Sequence, residues 1–277
     1  MLFDFHCHST ASDGALAPEQ LMARAARNGA RYVALTDHDQ LAGLGQARQS
    51  AEQLGMRFVD GVEISVSWRG MSVHIVGLNF DVHNVALAQG LEENASGRAK
   101  RAVVIAEQLE EVGVQNALAR ALAEANGRMD LLARTHFARV MVADKKAISV
   151  RHVFQNYLVE GKPGFVVHEW AALAQAIEWI HGAGGIAVLA HPGRYPHDAN
   201  SEMDLIREFV GLGGQAIEVV TGSHSKQQIK HYAQICDLFN LFASAGSDFH
   251  GAGESKMDIG KAPTLPAGLR PVWNLWN

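Results

Sequence analysis

The sequence predicts an α/β fold of parallel strands joined by crossover helices, interrupted by an inserted helical segment. Three observations predict it. The chain opens strand–helix–strand, and parallel strands need such a crossover. The same alternation resumes after residue 162 and runs to about residue 250. Between 85 and 161 strand-like runs vanish, and alanine, glutamate and arginine dominate, as in a set of helices. At 277 residues, 48% of them hydrophobic, the chain can bury the core of one large barrel-sized domain.

Apolar residues lead from Phe3 into His6-Cys7-His8, which reads as the mouth of a buried strand. Residues i and i+2 of a strand share a face, so His6 and His8 are placed to reach one metal ion, with Asp13 returning from the loop. Pro18 suits the first turn of a helix that Asn28-Gly29 ends. Tyr32–Thr36 is a short apolar strand running into Asp37-His38-Asp39, and a second helix spans about Ala42–Leu54. Arg57–Val66 and Ser72–Leu78 read as a hairpin turning at Trp68–Met71. Glu63 lies inside the first of these apolar runs, where a buried carboxylate needs a cationic partner, and His74 interrupts the second. After the insertion, a helix is expected at Trp170–His181 and a strand at Ile186–Ala190, ending in His191-Pro192-Gly193-Arg194. A helix over Ser201–Gly211, a strand over Ala216–Val220, a helix over Lys226–Phe239 and a strand over Leu241–Ala245 follow. The last strand ends in Gly246-Ser247-Asp248-Phe249-His250, and the proline-bearing tail should be irregular.

Composition narrows the function. A net charge of −5 argues against a generally basic nucleic-acid coat. Residues 98–162 nevertheless hold 11 Lys/Arg against 7 Asp/Glu, so +4 there against −9 elsewhere, a local reversal that reads as solvated helix faces or, more sharply, as a helical cap presenting cations to an anionic substrate. Two cysteines, Cys7 and Cys236, give no disulfide framework or thiolate cluster and fit a reducing cytoplasm. No secretory leader and no apolar run long enough to span a membrane is read, and no obligate protein partner is evident. Histidine is the outlier at 14 residues. His6, His8, His38, His191, Asp248 and His250 all fall at strand ends, and in a parallel barrel those ends converge on one face.

The ordered set FHCHSTASDG, LTDHD, GVEIS, SVHIVG, AHP and SDFH resembles the polymerase-and-histidinol-phosphatase (PHP) superfamily of metal phosphoesterases. The resemblance implies a distorted (β/α)7 TIM-like barrel over 1–84 and 162–277, with 85–161 a helical insertion contributing to the substrate site. It implies two or three divalent ions. His6, His8, Glu63 and Asp248 would hold one, Glu63, His74 and His191 a second, and Asp13, His38 and His250 a third. Asp13 departs from relatives that place a histidine there. Manganese is the expected metal, with zinc or iron as alternatives for such mixed ligands. Asp37 is expected to orient a ligand imidazole.

RTHFAR and EVVTGSH point to the branch that removes the 3'-phosphate of nucleoside 3',5'-bisphosphates and trims short RNA from its 5' end. Arg194 is then expected to reach the scissile phosphate, and His224 is a candidate phosphate donor or leaving-group acid, or else a loop histidine in solvent. Arg134, His136 and Lys162 bind a second phosphate, with Phe137 or Trp170 as weaker candidates for base stacking. The alternatives are a histidinol-phosphate type of phosphomonoesterase or a C–N amidohydrolase.

Overall fold

The computed structural model describes residues 3–196 and 198–276. The chain divides into two compact units, Met1–Leu91 with Trp170–Asn277, and Glu92–Glu169.

The first unit is a barrel. Its strands are β1 (Phe3–Asp4), β2 (Tyr32–Leu35), β3 (Arg57–Trp68), β4 (Met71–Leu78), β5 (Ala171–Ala172), β6 (Ile186–Leu189), β7 (Ala216–Val220) and β8 (Phe242–Ala245). The sheet order is β1-β2-β3-β4-β6-β7-β8, with β5 beside the far end of β3. Backbone bonds from Phe5 N to Ala245 O (3.0 Å) and from Asp248 N to His6 O (2.8 Å), with a bridge between Cys7 and Phe249, close the sheet on itself. Gly246 permits this closure, because a Cβ there would lie 2.3 Å from the His6 Cβ.

The distortion has a local cause. Arg69 (φ 46°) and Gly70 (φ 80°) form a tight two-residue turn of the kind that joins antiparallel strands. β4 therefore runs antiparallel to both β3 and β6, whereas the other barrel pairs are parallel. Its first residues thus lie at the end of the barrel where the parallel strands finish.

Helices α1 (Pro18–Arg27) and α2 (Leu44–Gln53) make the first crossovers. α3 (Val85–Glu111) begins where expected, but its first turns, through Leu91, belong to the barrel unit. The rest of α3, α4 (Ala117–Glu124), α5 (Arg134–Ala143) and α6 (Val150–Val153) form the second unit around their own core, which includes Leu109, Phe137, Met141 and Leu158. Phe137 is thus a core residue rather than an exposed stacking platform. α7 (Leu173–Gly182), α8 (Ala199–Gly211) and α9 (Lys226–Phe239) complete the barrel unit. The helix expected from Trp170 starts at Leu173 instead. Trp170 N donates to Ser67 Oγ (2.8 Å), and Ala171–Ala172 pair with the extended end of β3. Pairing with an available sheet edge here overrides alanine's helix propensity. The tail is irregular apart from a short 3-10 turn at Val272–Leu275.

Candidate metal centre

Six of the described strands, β1, β2, β3, β4, β6 and β8, deliver side chains to one place. His6 and His8 follow β1, with Cys7 between them facing away to donate to Ala34 O (3.1 Å). Glu63 lies in β3 opposite Val76, and His74 opposite Ser65, so the two share a face as diagonal cross-strand neighbours. The antiparallel β4 explains why a histidine inside a strand reaches the mouth of the barrel. His38 follows β2, His191 follows β6, and Asp248 and His250 follow β8.

Glu63 is the hub. Its Oε1 lies 2.7 Å from His74 Nδ1, 2.9 Å from His191 Nε2 and 3.3 Å from His6 Nε2. Its Oε2 lies 3.0 Å from His38 Nδ1 and 3.3 Å from His8 Nε2. Asp248 Oδ1 stands 3.5 Å from His8 Nε2, 3.7 Å from His6 Nε2 and 3.6 Å from His250 Nδ1. Asp13 Oδ1 stands 3.4 Å from His250 Nε2 and 3.9 Å from both His38 Nε2 and His8 Nδ1. All nine expected ligands are therefore brought together. They fall into four overlapping sets whose ligand atoms lie within 4.8 Å of one another: His8-Asp13-His38-His250, His6-His8-Asp248, His6-Glu63-His191 and His38-Glu63-His74. His38 thus borders Glu63 as well as Asp13, closer to the second expected ion than its assignment to the third alone implies.

The electrostatics divide the imidazoles: burial disfavours the proton on His8 and His74, whereas His6, although burial lowers it, is held well above the usual imidazole range by Glu218 and Glu63. Burial pushes the His8 imidazole down to about 3, and burial pushes His74 down to about 4 against the pull of Glu63. Burial alone would raise the Glu63 carboxyl, but His74, His6 and His38 hold it well below the usual carboxylate range. Burial opposes ionisation of Asp248 too, and Arg194 and its neighbouring imidazoles outweigh that. His6 Nε2, both His8 nitrogens, His191 Nδ1, Glu63 Oε2 and Asp248 Oδ1 are buried and make no hydrogen bond among the described residues. Buried polar atoms are normally satisfied, and so many left over in one place fit a centre that binds divalent cations.

Supporting groups surround the cluster. Asp37 does not orient a histidine as expected. It accepts from Ser9 N (2.7 Å), Ser9 Oγ (2.6 Å) and Ser12 Oγ (2.6 Å), so it braces the loop that carries Asp13. The carboxylate on a ligand imidazole is instead Glu218, whose Oε1 accepts from His6 Nδ1 (2.8 Å). Asp4 accepts from Ser247 N (2.8 Å) and Gly260 N (2.7 Å) beneath Asp248. Asp39 accepts from Ser65 N and Oγ, both 2.9 Å. Sequence reasoning missed Glu218, although its signal, a carboxylate inside an apolar strand, is the one that singled out Glu63.

Arg194 Nη1 donates to Asp248 Oδ2 (2.5 Å), and 45% of its side chain remains exposed. Both His224 nitrogens are engaged: Nδ1 faces Val219 O (3.0 Å), and Nε2 accepts from Gly193 N (3.1 Å). In the helical unit, Arg134 Nη1 donates to Leu158 O (3.1 Å). His136 is buried there, its Nδ1 accepting from Ala133 N (3.0 Å) at the start of α5, and Lys162 is exposed.

Residues 4–222 match the PHP domain family. The chain belongs to it. Among PHP relatives, the 3',5'-nucleoside bisphosphate phosphatase of Chromobacterium violaceum is 44% identical over 270 residues, covering 98% of this chain and 94% of that protein. The 5'-3' exoribonuclease Rnm of Escherichia coli is 40% identical, covering 100% and 94%. A solved Chromobacterium violaceum structure, described as an amidohydrolase with bound sulfate and no metal, superposes with a TM-score of 0.95 at 44% identity, covering 99% and 95%. A candidate metal-dependent phosphoesterase of Bifidobacterium adolescentis superposes at 0.82 with 25% identity, covering 98% and 92%. The PHP barrel expected from the sequence is thus the fold of this chain.

Proposed function

We propose that this PHP chain is a metal-dependent phosphoric monoester hydrolase that removes the 3'-phosphate from nucleoside 3',5'-bisphosphates, with 5'-3' exonuclease action on short RNA as a second activity. The observation that carries the reading is the buried set of unsatisfied imidazole and carboxylate atoms at the barrel mouth. Similarity to the bisphosphate phosphatase and the exoribonuclease over nearly the whole chain supports the substrate class.

His6, His8, Glu63 and Asp248 would hold one ion, Glu63, His74 and His191 a second, and Asp13, His38 and His250 a third. Manganese is the proposed metal, because hard carboxylates share the set with imidazoles. When bound, such ions lower the pKa of water from ~15.7 toward ~7 and withdraw charge from phosphoryl oxygens. The protein's own part is positioning. The two Glu63 oxygens face different imidazoles, as a bridging ligand's would. Asp248 steers the Arg194 guanidinium to the same mouth, where its remaining N–H groups can take a phosphate in bidentate fashion. His224, engaged at both nitrogens, is better suited to hold the turn before Arg194 than to protonate a leaving group. Arg134, His136 and Lys162 are proposed for a second phosphate on the strength of the local positive charge. Action in the cytoplasm is proposed from two buried, free cysteines. Among the described residues no helix is long and apolar enough to cross a membrane.

The amidohydrolase name of one solved relative makes C–N hydrolysis the second reading. Among the described strands there is no lysine to carry a carboxylated bridge between metals. A panel of phosphate esters with manganese tests the choice. Release of the 3'-phosphate from adenosine 3',5'-bisphosphate supports the proposal, and turnover of histidinol phosphate without it overturns it.

A further inference from the structure

We infer that Glu218 is a positioning residue that sets two metal-binding segments at once, fixing which His6 nitrogen faces the metal and clamping the strained backbone of His191. The inference rests on the metal-centre reading above.

Glu218 lies in the middle of β7, is 1% exposed, and divides its two oxygens. Oε1 accepts from His6 Nδ1 at 2.8 Å, and Oε2 accepts from His191 N at 2.6 Å. These partners belong to segments that follow β1 and β6, and they are far apart in sequence. One buried carboxylate therefore ties them together.

Each bond has a separate consequence. With Nδ1–H given to Glu218, His6 presents Nε2 to the cluster, 3.3 Å from Glu63 Oε1 and 3.7 Å from Asp248 Oδ1. A carboxylate behind an imidazole also strengthens that imidazole as a donor to a metal. His191 has φ 28° and ψ 55°, outside the regions a residue with a Cβ prefers. Such a conformation is strained and persists only where its surroundings over-determine it. A charge-assisted bond to the His191 N–H is that constraint. It keeps His191 Nε2 2.9 Å from Glu63 Oε1.

Glutamine at 218 would fill the same space with the wrong pattern. If its oxygen keeps the His191 N–H, its NH2 faces His6 Nδ1, which must then accept. The His6 ring proton moves to Nε2, the atom needed by the metal.

The experiment titrates metal-free wild type, Glu218→Gln and Glu218→Asp with Mn2+ against a competing chelator. Glu218→Gln is expected to weaken the tightest site by about 10–100-fold. Glu218→Asp, which keeps the charge on a shorter arm, should fall between it and wild type, and excess Mn2+ should restore turnover to Glu218→Gln. Unchanged Mn2+ affinity in Glu218→Gln overturns the inference and leaves the metal centre standing. A wild-type protein that takes up no divalent ion overturns both. A second measurement needs no variant. In 15N-histidine spectra of the wild type loaded with diamagnetic Zn2+, His6 should carry its proton on Nδ1 and the ion on Nε2, and the reverse assignment overturns the inference.

Discussion

At the N-terminal end of its strands the barrel is closed by aromatic rings, and at the C-terminal end by imidazoles and carboxylates. Phe3 stacks on Trp273 with centroids 3.8 Å apart, and Phe5 meets Trp276 edge-on at 5.0 Å. Around them pack Ala34, Val59, Leu78, Ile186, Ala216 and Val272, an apolar layer. At the other end the same strands hold six imidazoles and three carboxylates, several of whose buried atoms make no hydrogen bond among the described residues. The aromatic end carries one such atom among the described residues, Trp276 Nε1, whereas the other gathers many of them in one spot. Such violations concentrate where function requires them.

That contrast can be broken by exchanging the signatures of the two ends. The largest effect is expected from His8→Ala. Both His8 nitrogens lack hydrogen bonds, so the ring's loss removes its packing against His250 and His38 but no hydrogen bond. Phosphate release should fall by about 10³-fold or more, while the melting temperature of the metal-free protein holds or rises. A clear drop in metal-free stability would make His8 a structural histidine. Asp13→Ala comes next, with fewer ions bound per chain and turnover reduced by roughly 10-fold but not abolished, because Asp13 faces only one of the four overlapping sets. Metal content equal to wild type would remove Asp13 from the centre.

At the opposite end, Trp273→Ala should do the reverse. Denaturant unfolding should show a loss of about 2 kcal/mol, below the range for a fully buried ring because Trp273 is half-buried, with activity per folded molecule retained. Loss of kcat at unchanged stability would contradict the division between the ends.

The smallest effect is a pH dependence. Burial lifts the Asp37 carboxyl from 3.8 to about 6, against the bonds it accepts from Ser12 and Ser9. A raised acid contributes stability below its unfolded value and loses it as pH rises through the folded one. Wild type should therefore lose ground to Asp37→Asn between about pH 4 and pH 7, by at most about 3 kcal/mol, in melts with a chelator present. A gap moving the other way would show the ionised carboxylate to be the favoured form.

Much of the mouth was legible in the sequence, because position at a strand end is a local property. His6, His8, His38, His191, Asp248 and His250 could be read that way. His74 could not be placed on those grounds, since it lies inside a strand. Its presence at the mouth depends on β4 running antiparallel, which follows from the Arg69-Gly70 turn. Glu218 was missed and Asp37 misassigned for a related reason. Which acid meets which imidazole is set by side-chain reach across the barrel interior, not by nearness in the chain. Glu218 lies 212 residues from His6, and Asp37, adjacent to His38, turns to the Ser9–Ser12 loop instead. The insertion was visible as a change in composition. Its boundary with the barrel was not, because α3 runs without a break through Leu91.

The most direct test of the central claim is an elemental analysis of the purified protein, coupled to phosphate release from adenosine 3',5'-bisphosphate before and after chelation. The account predicts more than one divalent ion per chain, loss of 3'-phosphate release when they are removed, and its return with Mn2+. A protein free of divalent ions that still releases the 3'-phosphate, or one that holds them and leaves this substrate untouched, would contradict it.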